Sequence, residues 1–222
     1  MTGKILDSTI YPLEWDKSYT EKGPQWRGGL RISPYLSGMD LSGPMLEIGV
    51  GNGNTAAQIV KAMPAQAQLV CLDVSRWALA HLPAQLCSDR RIAFTIADAR
   101  AMPFQDGVFT AIFARHVLTH TIIGDETRIL SEIRRALRPS ESVLLEVFTP
   151  RDMRFGKGDQ IAANVFLRKD GLVWRFFSED ELAWAIDRAG MKLALHEVVS
   201  RQVVHMGKKH RRESLVAVAR RI

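Results

Sequence analysis

The densest run of chemistry-bearing residues is Leu46-Glu47-Ile48-Gly49-Val50-Gly51-Asn52-Gly53-Asn54-Thr55. It joins a short apolar run, Pro44–Ile48, that reads as a buried strand, to a helical pattern over Thr55–Met63. Glycines at such a junction let the backbone turn sharply and let a ligand approach with no Cβ in the way. Open parallel sheets bind ligands in this crevice, beyond the carboxyl ends of their strands. Two more carboxylates close the next two strands, Asp73 after Leu69–Leu72 and Asp98 after Ile92–Ala97. A carboxylate at Asp73 can accept both hydroxyls of a ribose. Asp98 can accept from an exocyclic amine while the Ala99 amide meets a ring nitrogen. A strand-terminal aspartate is often a plain cap or turn residue. Three strand ends in succession, however, offer places for an amino-acid-like end, a ribose and an adenine.

The elements that must position these groups follow a strand–helix rhythm. After the first strand and helix come a strand over 69–73 and a helix over roughly 76–87 that Ser75 can cap. Strands follow at 92–96 and 108–114. A helix over 126–137, with Ile129, Leu130, Ile133 and Leu137 at helical spacing, stops before Pro139, and a fifth strand spans 143–148. This alternation predicts a parallel sheet covered on both faces. After Pro150 the rhythm breaks, and a connection of that length is usually functional. Ser178-Glu179-Asp180-Glu181 is a capping box that opens a helix ending at Gly190. Two last strands, near 192–199 and 214–219, should pair as an antiparallel hairpin through a basic turn. The polar stretch 11–31 predicts a short helix and a loop ahead of the core.

The pieces LEIGVGNGN, LVCLDVS, IADARAMPFQDGVFTAIFARHVL and SEIRRALRPSESVLLEVF, in this order over residues 44–148, resemble the class I S-adenosylmethionine-dependent methyltransferases. The resemblance implies an α/β, doubly wound Rossmann-like sheet of seven strands in the order 3-2-1-4-5-7-6, mostly parallel with a reversed C-terminal strand. It implies one domain over 1–222: a helical and loop segment (1–43), a cofactor-binding core (44–148), a substrate lid insertion (149–177), and a final helix and hairpin (178–222). S-adenosylmethionine would lie with its methionine and sulfonium end at Glu47, Gly49 and Gly51, its ribose at Asp73 and its adenine at Asp98 and Ala99. Asn52, Val74 and Arg115 complete the implied cofactor site, and Arg115 and His116 would border the methyl group as catalytic candidates.

Gly51-Asn52-Gly53-Asn54-Thr55-Ala56 also satisfies the G-x-G-x-x-G/A pattern of dinucleotide binding. Glu47 argues against NAD. A carboxylate before the first glycine repels a pyrophosphate and attracts a sulfonium or ammonium.

The acceptor is harder to read, because a sulfonium methyl is already activated and the protein need only place a nucleophile and exclude water. The fourth strand is not followed by the Asn/Asp-Pro-Pro-Tyr/Phe of exocyclic-amine DNA methylases, and the chain has no Pro-Cys nucleophile. In the C-terminal third, Asn164–Gly171 with its Arg168-Lys169-Asp170-Gly171 turn, the pair Phe176-Phe177 and the start Ser178–Leu182 resemble tRNA 3-methylcytidine methyltransferases. Trp15-Asp16-Lys17-Ser18-Tyr19 echoes their Trp-Asp-x-x-Tyr. Trp15, Tyr19, Arg168, Lys169, Trp174, Lys208, Lys209, Arg211 and Arg212 are therefore candidate substrate residues. Trp174, Phe176 or Phe177 could stack an extruded base, although Phe166, Trp174 and Phe176 also suit a core beneath a lid. His116 and His120 are candidate bases, or packing residues at a helix start. The stretch FARHVLTH is closer to the broad small-molecule methylases. Three functions follow: an RNA-base methylase acting on an N or O nucleophile, a small-molecule methylase with 150–177 closed over an apolar pocket, and a cofactor-binding module without turnover.

Composition agrees with these classes. The 222 residues are 46% hydrophobic and 24% charged, which excludes a collagen-like or wholly disordered chain. No apolar run approaches a membrane span, and the start MTGKILDSTI has no apolar core of a secretory leader, so the cytoplasm is expected. Cys71 and Cys87 form no disulfide framework, sit where packing suits them, and belong to no metal pattern, so no metal is expected. Residues 1–200 carry 23 basic and 23 acidic side chains. The whole excess of +6 lies in 201–222, where seven basic residues face Glu213 alone. Such a cluster reads as a phosphate-facing surface or as a solvated turn.

Overall fold

The computed structural model describes residues 11–23, 30–205 and 207–222. The stretch 1–10, read above for a leader, and residues 24–29 of the early loop lie outside the described residues. Helix α1 spans Tyr11–Lys22. Strand β1 (Pro44–Ile48), helix α2 (Asn54–Ala62), strand β2 (Gln68–Asp73), the short helices α3 (Arg76–Ala80) and α4 (Ala84–Cys87) and strand β3 (Ile92–Ile96) form the first half. Strand β4 (Phe109–Arg115), helix α5 (Asp125–Ala136) and strand β5 (Leu137–Phe148) follow. Strands β6 (Asp159–Ala162), β7 (Val165–Leu167) and β8 (Val173–Arg175) form a separate antiparallel sheet. Helix α6 (Glu179–Arg188) and the hairpin β9 (Met191–His205) and β10 (Lys208–Arg221) end the chain.

The main sheet has the order β3-β2-β1-β4-β5-β10-β9. Strands β1 to β5 pair in parallel, and β10 runs antiparallel to both β5 and β9. This is the seven-stranded, doubly wound arrangement expected above. Alternate residues feed two cores. Leu46, Ile48, Ile112 and Leu145 pack against α5 and α6 on one face. Met45, Phe113, Leu144 and Val216 pack against α2 and the Ile32–Met39 loop on the other. Ser75 caps α3 by accepting from the Ala78 amide at 3.3 Å, and Ser178 and Glu181 complete the capping box of α6.

Two readings need correction. The helix expected over 76–87 is split in two by Pro83, which lacks an amide hydrogen to continue it. The basic cluster is not a turn. Lys208, Lys209, Arg211 and Arg212 lie within β10, paired with β9 from His205 to Arg201. The β-branched runs Val198-Val199 and Val203-Val204 favour that longer strand.

Only Ser214–Arg220 of β10 pairs with β5, whose Phe148 lies opposite Ser214. Residues 208–213 therefore run on past the carboxyl end of β5, and the hairpin overhangs the ligand-binding edge of the sheet. Buried acids hold it there. Asp152 Oδ1 accepts from the Arg154 amide and Nη1, both at 3.0 Å, and Oδ2 accepts from the Glu213 amide at 2.9 Å and lies 3.3 Å from Arg212 Nε. Glu213 accepts from Thr149 Oγ1 at 2.6 Å and Arg151 Nε at 3.0 Å, and pairs with Arg211. Asp152 and Glu213 are both buried. Removing one partner of such a network leaves buried charge uncompensated. The Asp152→Ala variant is expected to lose about 3 kcal/mol of unfolding free energy, read from the urea midpoint. A wild-type midpoint would contradict the role given to this acid.

Candidate active site

The Glu47–Thr55 loop leaves β1 at the centre of the sheet and enters α2. Gly49, Gly51 and Gly53 all take left-handed φ values (69°, 54° and 78°). A Cβ would also collide at two of them, lying 2.9 Å from Val117 Cγ2 at Gly49 and 2.5 Å from Leu86 Cδ1 at Gly53. The loop bends back over β2, with the Gly49 amide donating to the Leu72 carbonyl at 2.7 Å. Asp73 is buried and accepts from the Gly51 amide at 2.9 Å and the Ser75 amide at 2.9 Å, so each oxygen keeps accepting capacity toward the cavity. Burial raises its pKa, partly opposed by these amides. Asp98 is held by Arg100, whose Nε lies 3.0 and 3.1 Å from its two oxygens and whose Nη1 also reaches Asp125 at 3.1 Å. Burial pushes the Asp98 carboxyl up, but Arg100 outweighs it and the net shift is down.

A line of polar side chains crosses the sheet from this cradle. Arg115 stands directly beside Glu146 in the β4–β5 register. Its Nε donates to Glu146 Oε2 at 2.7 Å and its Nη1 to Thr55 Oγ1, at the start of α2, at 2.6 Å. Ser214 Oγ donates to Glu146 Oε1 at 2.7 Å. Burial alone would raise Glu146, yet His116 and Arg115 lower it below the ordinary carboxyl value. Glu47 differs. It is buried, its Oε2 has no hydrogen-bond partner among the described residues, and burial lifts its pKa to about 8 against the opposing pull of Arg115.

Beyond Arg115 the chain turns at His116, a non-glycine residue at φ 59°. Its ring lies 4.3 Å from Phe148, centre to centre, and Nε2 lies 3.5 Å from Glu146 Oε1. Burial drives its pKa down to about 4 despite Glu146, so it is neutral at physiological pH. His120, with Nδ1 2.9 Å from the Val173 carbonyl, is driven to about 3 by burial. Trp15 of α1 meets the His120 ring edge-on at 4.7 Å.

One cavity of about 430 Å³ joins these parts. Glu47, Gly49, Gly51, Asn52, Asp73, Val74, Asp98, Ala99, Arg115, His116, Trp15, Tyr19 and Arg212 all line it, so the structure brings the whole cofactor set together with part of the substrate set. Arg168, Lys169, Trp174, Lys208, Lys209 and Arg211 do not line it. Arg168 stacks over Trp174 at 4.0 Å and lies 3.4 Å from Asp170, while Asp170 accepts from Lys22 of α1 at 2.7 Å. Phe166 and Phe176 are buried together with Phe148, and Phe177 joins the main core. Of residues 149–177 only Asp152 reaches the cavity; its aromatic cover comes from Trp15 and Tyr19 of α1. Sequence reading missed Glu146, Ser214 and Arg201, which also line it. The signal for Glu146 was present, as a lone acid in the apolar run Val143–Phe148.

A sequence-family model described as a methyltransferase domain matches residues 45–140. Over those residues the chain resembles a methyltransferase domain. The SAM-dependent methyltransferase of Anabaena variabilis superposes with a TM-score of 0.73 at 15% identity, over 96% of this chain and 94% of that one. The 1,6-didemethyltoxoflavin-N1-methyltransferase of Burkholderia thailandensis, solved with 1,6-didemethyltoxoflavin and S-adenosylhomocysteine, gives 0.69 at 19% identity, over 96% and 88%. These likenesses establish the fold. In sequence, the tRNA N(3)-cytidine methyltransferase METTL2 of Gallus gallus is 29% identical over 181 residues, 78% of this chain and 49% of that protein. The chain spans about half the length of the curated relatives it matches. Among the described residues no cluster of metal-ligating side chains occurs, and no helix is long and apolar enough to cross a membrane.

The methyltransferase domain's cradle fits S-adenosylmethionine. The orphaned Glu47 Oε2 suits a cationic group and not a pyrophosphate, and Asp73 suits a pair of hydroxyls. The pKa of Glu47 makes that fit pH-dependent. Its folded value, about 8, lies above the ordinary carboxyl value, so the group is neutral below that pH and charged above it. Cofactor affinity is expected to rise as pH passes upward through about 8, with proton release on binding below it. Calorimetry in buffers of differing ionisation enthalpy reads both. Glu47→Gln should bind more weakly with a flat profile, and a wild-type profile that is also flat would refute the assignment.

Proposed function

We propose that this methyltransferase domain transfers the methyl group of S-adenosylmethionine to a nitrogen of an RNA base, with a tRNA cytidine as the leading acceptor. The observation that carries the reading is the single cavity running from Glu47 and Asp73, past His116 and Phe148, to Arg201 and Arg212 on the overhanging hairpin. It connects a cradle for a cationic methyl donor to a cation-rich mouth. The likeness to tRNA N(3)-cytidine methyltransferases over 78% of the chain supports the choice of base. A cytoplasmic setting, reached from the sequence, belongs to the same proposal.

The cofactor supplies a methyl already activated by its sulfonium. The protein's tasks are binding, alignment and exclusion of water. Glu47 and Asp73 hold the donor's charged and ribose ends. Arg115, fixed between Glu146 and Thr55, keeps the floor rigid beside Glu47. His116 is neutral and packed against Phe148, so it can exchange a hydrogen bond with a base edge without repelling the donor's positive charge. A pyrimidine ring nitrogen carries a neutral lone pair, so no strong base is required. Exposed Lys208 and Lys209, farther along the hairpin, serve flanking phosphates. A second reading, methylation of a small heterocycle, draws on the structural likeness to the 1,6-didemethyltoxoflavin-N1-methyltransferase and on the cover that α1 gives the cavity.

Labelled methyl donor added to extract separated into RNA and metabolite fractions distinguishes the two. Label is expected in the RNA fraction; label confined to metabolites would favour the second reading, and none in either would leave only cofactor binding. His116→Ala is expected to lower turnover on the labelled acceptor on the order of 100-fold through misplacement, with cofactor affinity near wild type. Unchanged turnover would remove His116 from the site.

A further inference from the structure

Strands β9 and β10 place Arg201 directly opposite Arg212. Like charges opposed across a strand pair repel each other. Arg212 has a counter-charge, with its Nε 3.3 Å from Asp152 Oδ2. Arg201 has no acidic partner among the described residues, because both buried acids at this end are committed elsewhere. Asp152 serves Arg154, Arg212 and the Glu213 amide. Glu213 serves Thr149, Arg151 and Arg211. Both opposed arginines line the cavity. Arg212 is half-buried and Arg201 exposed, so the pair leads from the mouth inward.

Their place on the sheet decides what they face. Arg212 is two residues from Ser214 on the same strand, hence on the same face. Ser214 reaches Glu146, and Glu146 holds Arg115. The arginine pair is therefore the outward continuation of the polar line that begins at Glu47. Arg154 adds to the field. Its guanidinium lies 4.4 Å above the Phe148 ring, and burial lowers its pKa to about 10. Burial also lowers that of Arg212, with Arg201 contributing by repulsion. An anion between the two arginines would relieve that repulsion. Lys208 and Lys209 lie beyond the cavity lining and do not share the place.

We propose that Arg201 and Arg212 seat a phosphate carried by the methyl acceptor next to the atom that is methylated. Forked guanidinium donors suit a phosphate's oxygens better than a lysine's point charge does. The proposal deepens the RNA reading, where this group is the phosphodiester flanking the target base; in a small acceptor the same chemistry is a phosphomonoester.

The test uses the full chain saturated with S-adenosylhomocysteine and calorimetric titration with cytidine, cytidine 5′-monophosphate, a short single-stranded oligonucleotide containing one cytidine, and a panel of phosphomonoesters of small amines. In the wild type, adding the phosphate to cytidine should tighten binding roughly tenfold. In Arg201→Gln that gain should disappear while affinity for S-adenosylhomocysteine and the unfolding midpoint stay unchanged, and Arg201→Lys should restore part of it. An equal phosphate gain in wild type and Arg201→Gln, or no phosphate-dependent binding of any compound to the wild type, would overturn the seat. Should only the small phosphomonoesters bind, and do so through Arg201, the seat would stand and the RNA reading would fall.

Discussion

The buried ion pair between Arg115 and Glu146 is the constraint on which the site depends. Two charges lodged at the carboxyl edge of a dry sheet must be matched closely, because neither can turn to water. Arg115 satisfies three neighbours at once: Glu146 beside it, Thr55 at the start of α2, and the field of Glu47. Glu146 in turn takes the Ser214 hydroxyl and faces His116. Four strands and one helix are thus tied by a single polar line. That line fixes the distance between the glycine loop and the overhanging hairpin. Among the described residues, it ends on one side in a carboxylate oxygen with no hydrogen-bond partner and on the other in Arg201, which has no acidic partner. Both ends face the cavity, so the matched charges in the middle leave the two unmatched ones where ligands arrive.

Much of this was legible because it is local. The glycine turn, Asp73 and Asp98 announce themselves by type and by their positions at strand ends, and the structure brings all of them to one cavity. Glu146 was overlooked although an acid within Val143–Phe148 has no reason to be there unless it is paired. Its partners lie 31 and 68 residues away, and pattern within one strand cannot point to them. The misread basic turn has the same cause. Short basic runs usually mean solvent, but here Asp152, 61 residues before Glu213, draws the strand inward. Pro83 was the opposite case, a purely local signal that should have ended the helix.

The turn that resembled tRNA methyltransferases has its own contacts. Asp170 accepts from Lys22, and Gly171, left-handed at φ 81°, has the end of the Glu14 side chain of α1 against it, so the turn and α1 sit against each other. Asp16 of the same helix accepts from Ser75 Oγ at 2.5 Å, beside the Asp73 amide contacts. Helix α1 is thereby pinned at one place to the donor cradle and at another to the small sheet, with Trp15 and Tyr19 turned to the cavity between. The arrangement makes this short, polar helix part of the site without asking it to be stable alone, since a 12-residue helix is marginal in water. It also gives the Arg-x-Asp-Gly turn a structural task that stands beside any contact with an acceptor.

The chemistry follows from what burial does to the titratable groups. Burial keeps His116 and His120 neutral, so neither brings a positive charge near a cationic donor. Burial also holds Glu47 near its point of ionisation, where an arriving cation can tip it to the charged form. Glu146 is held below the ordinary carboxyl value, and its charge is spent on Arg115 and on the field at His116. Burial thus leaves His116 and His120 with little affinity for a proton. Under the function proposed above, an acceptor whose lone pair is already available needs no strong base. The arrangement of charge, more than any single side chain, therefore agrees with the neutral nitrogen acceptor proposed above.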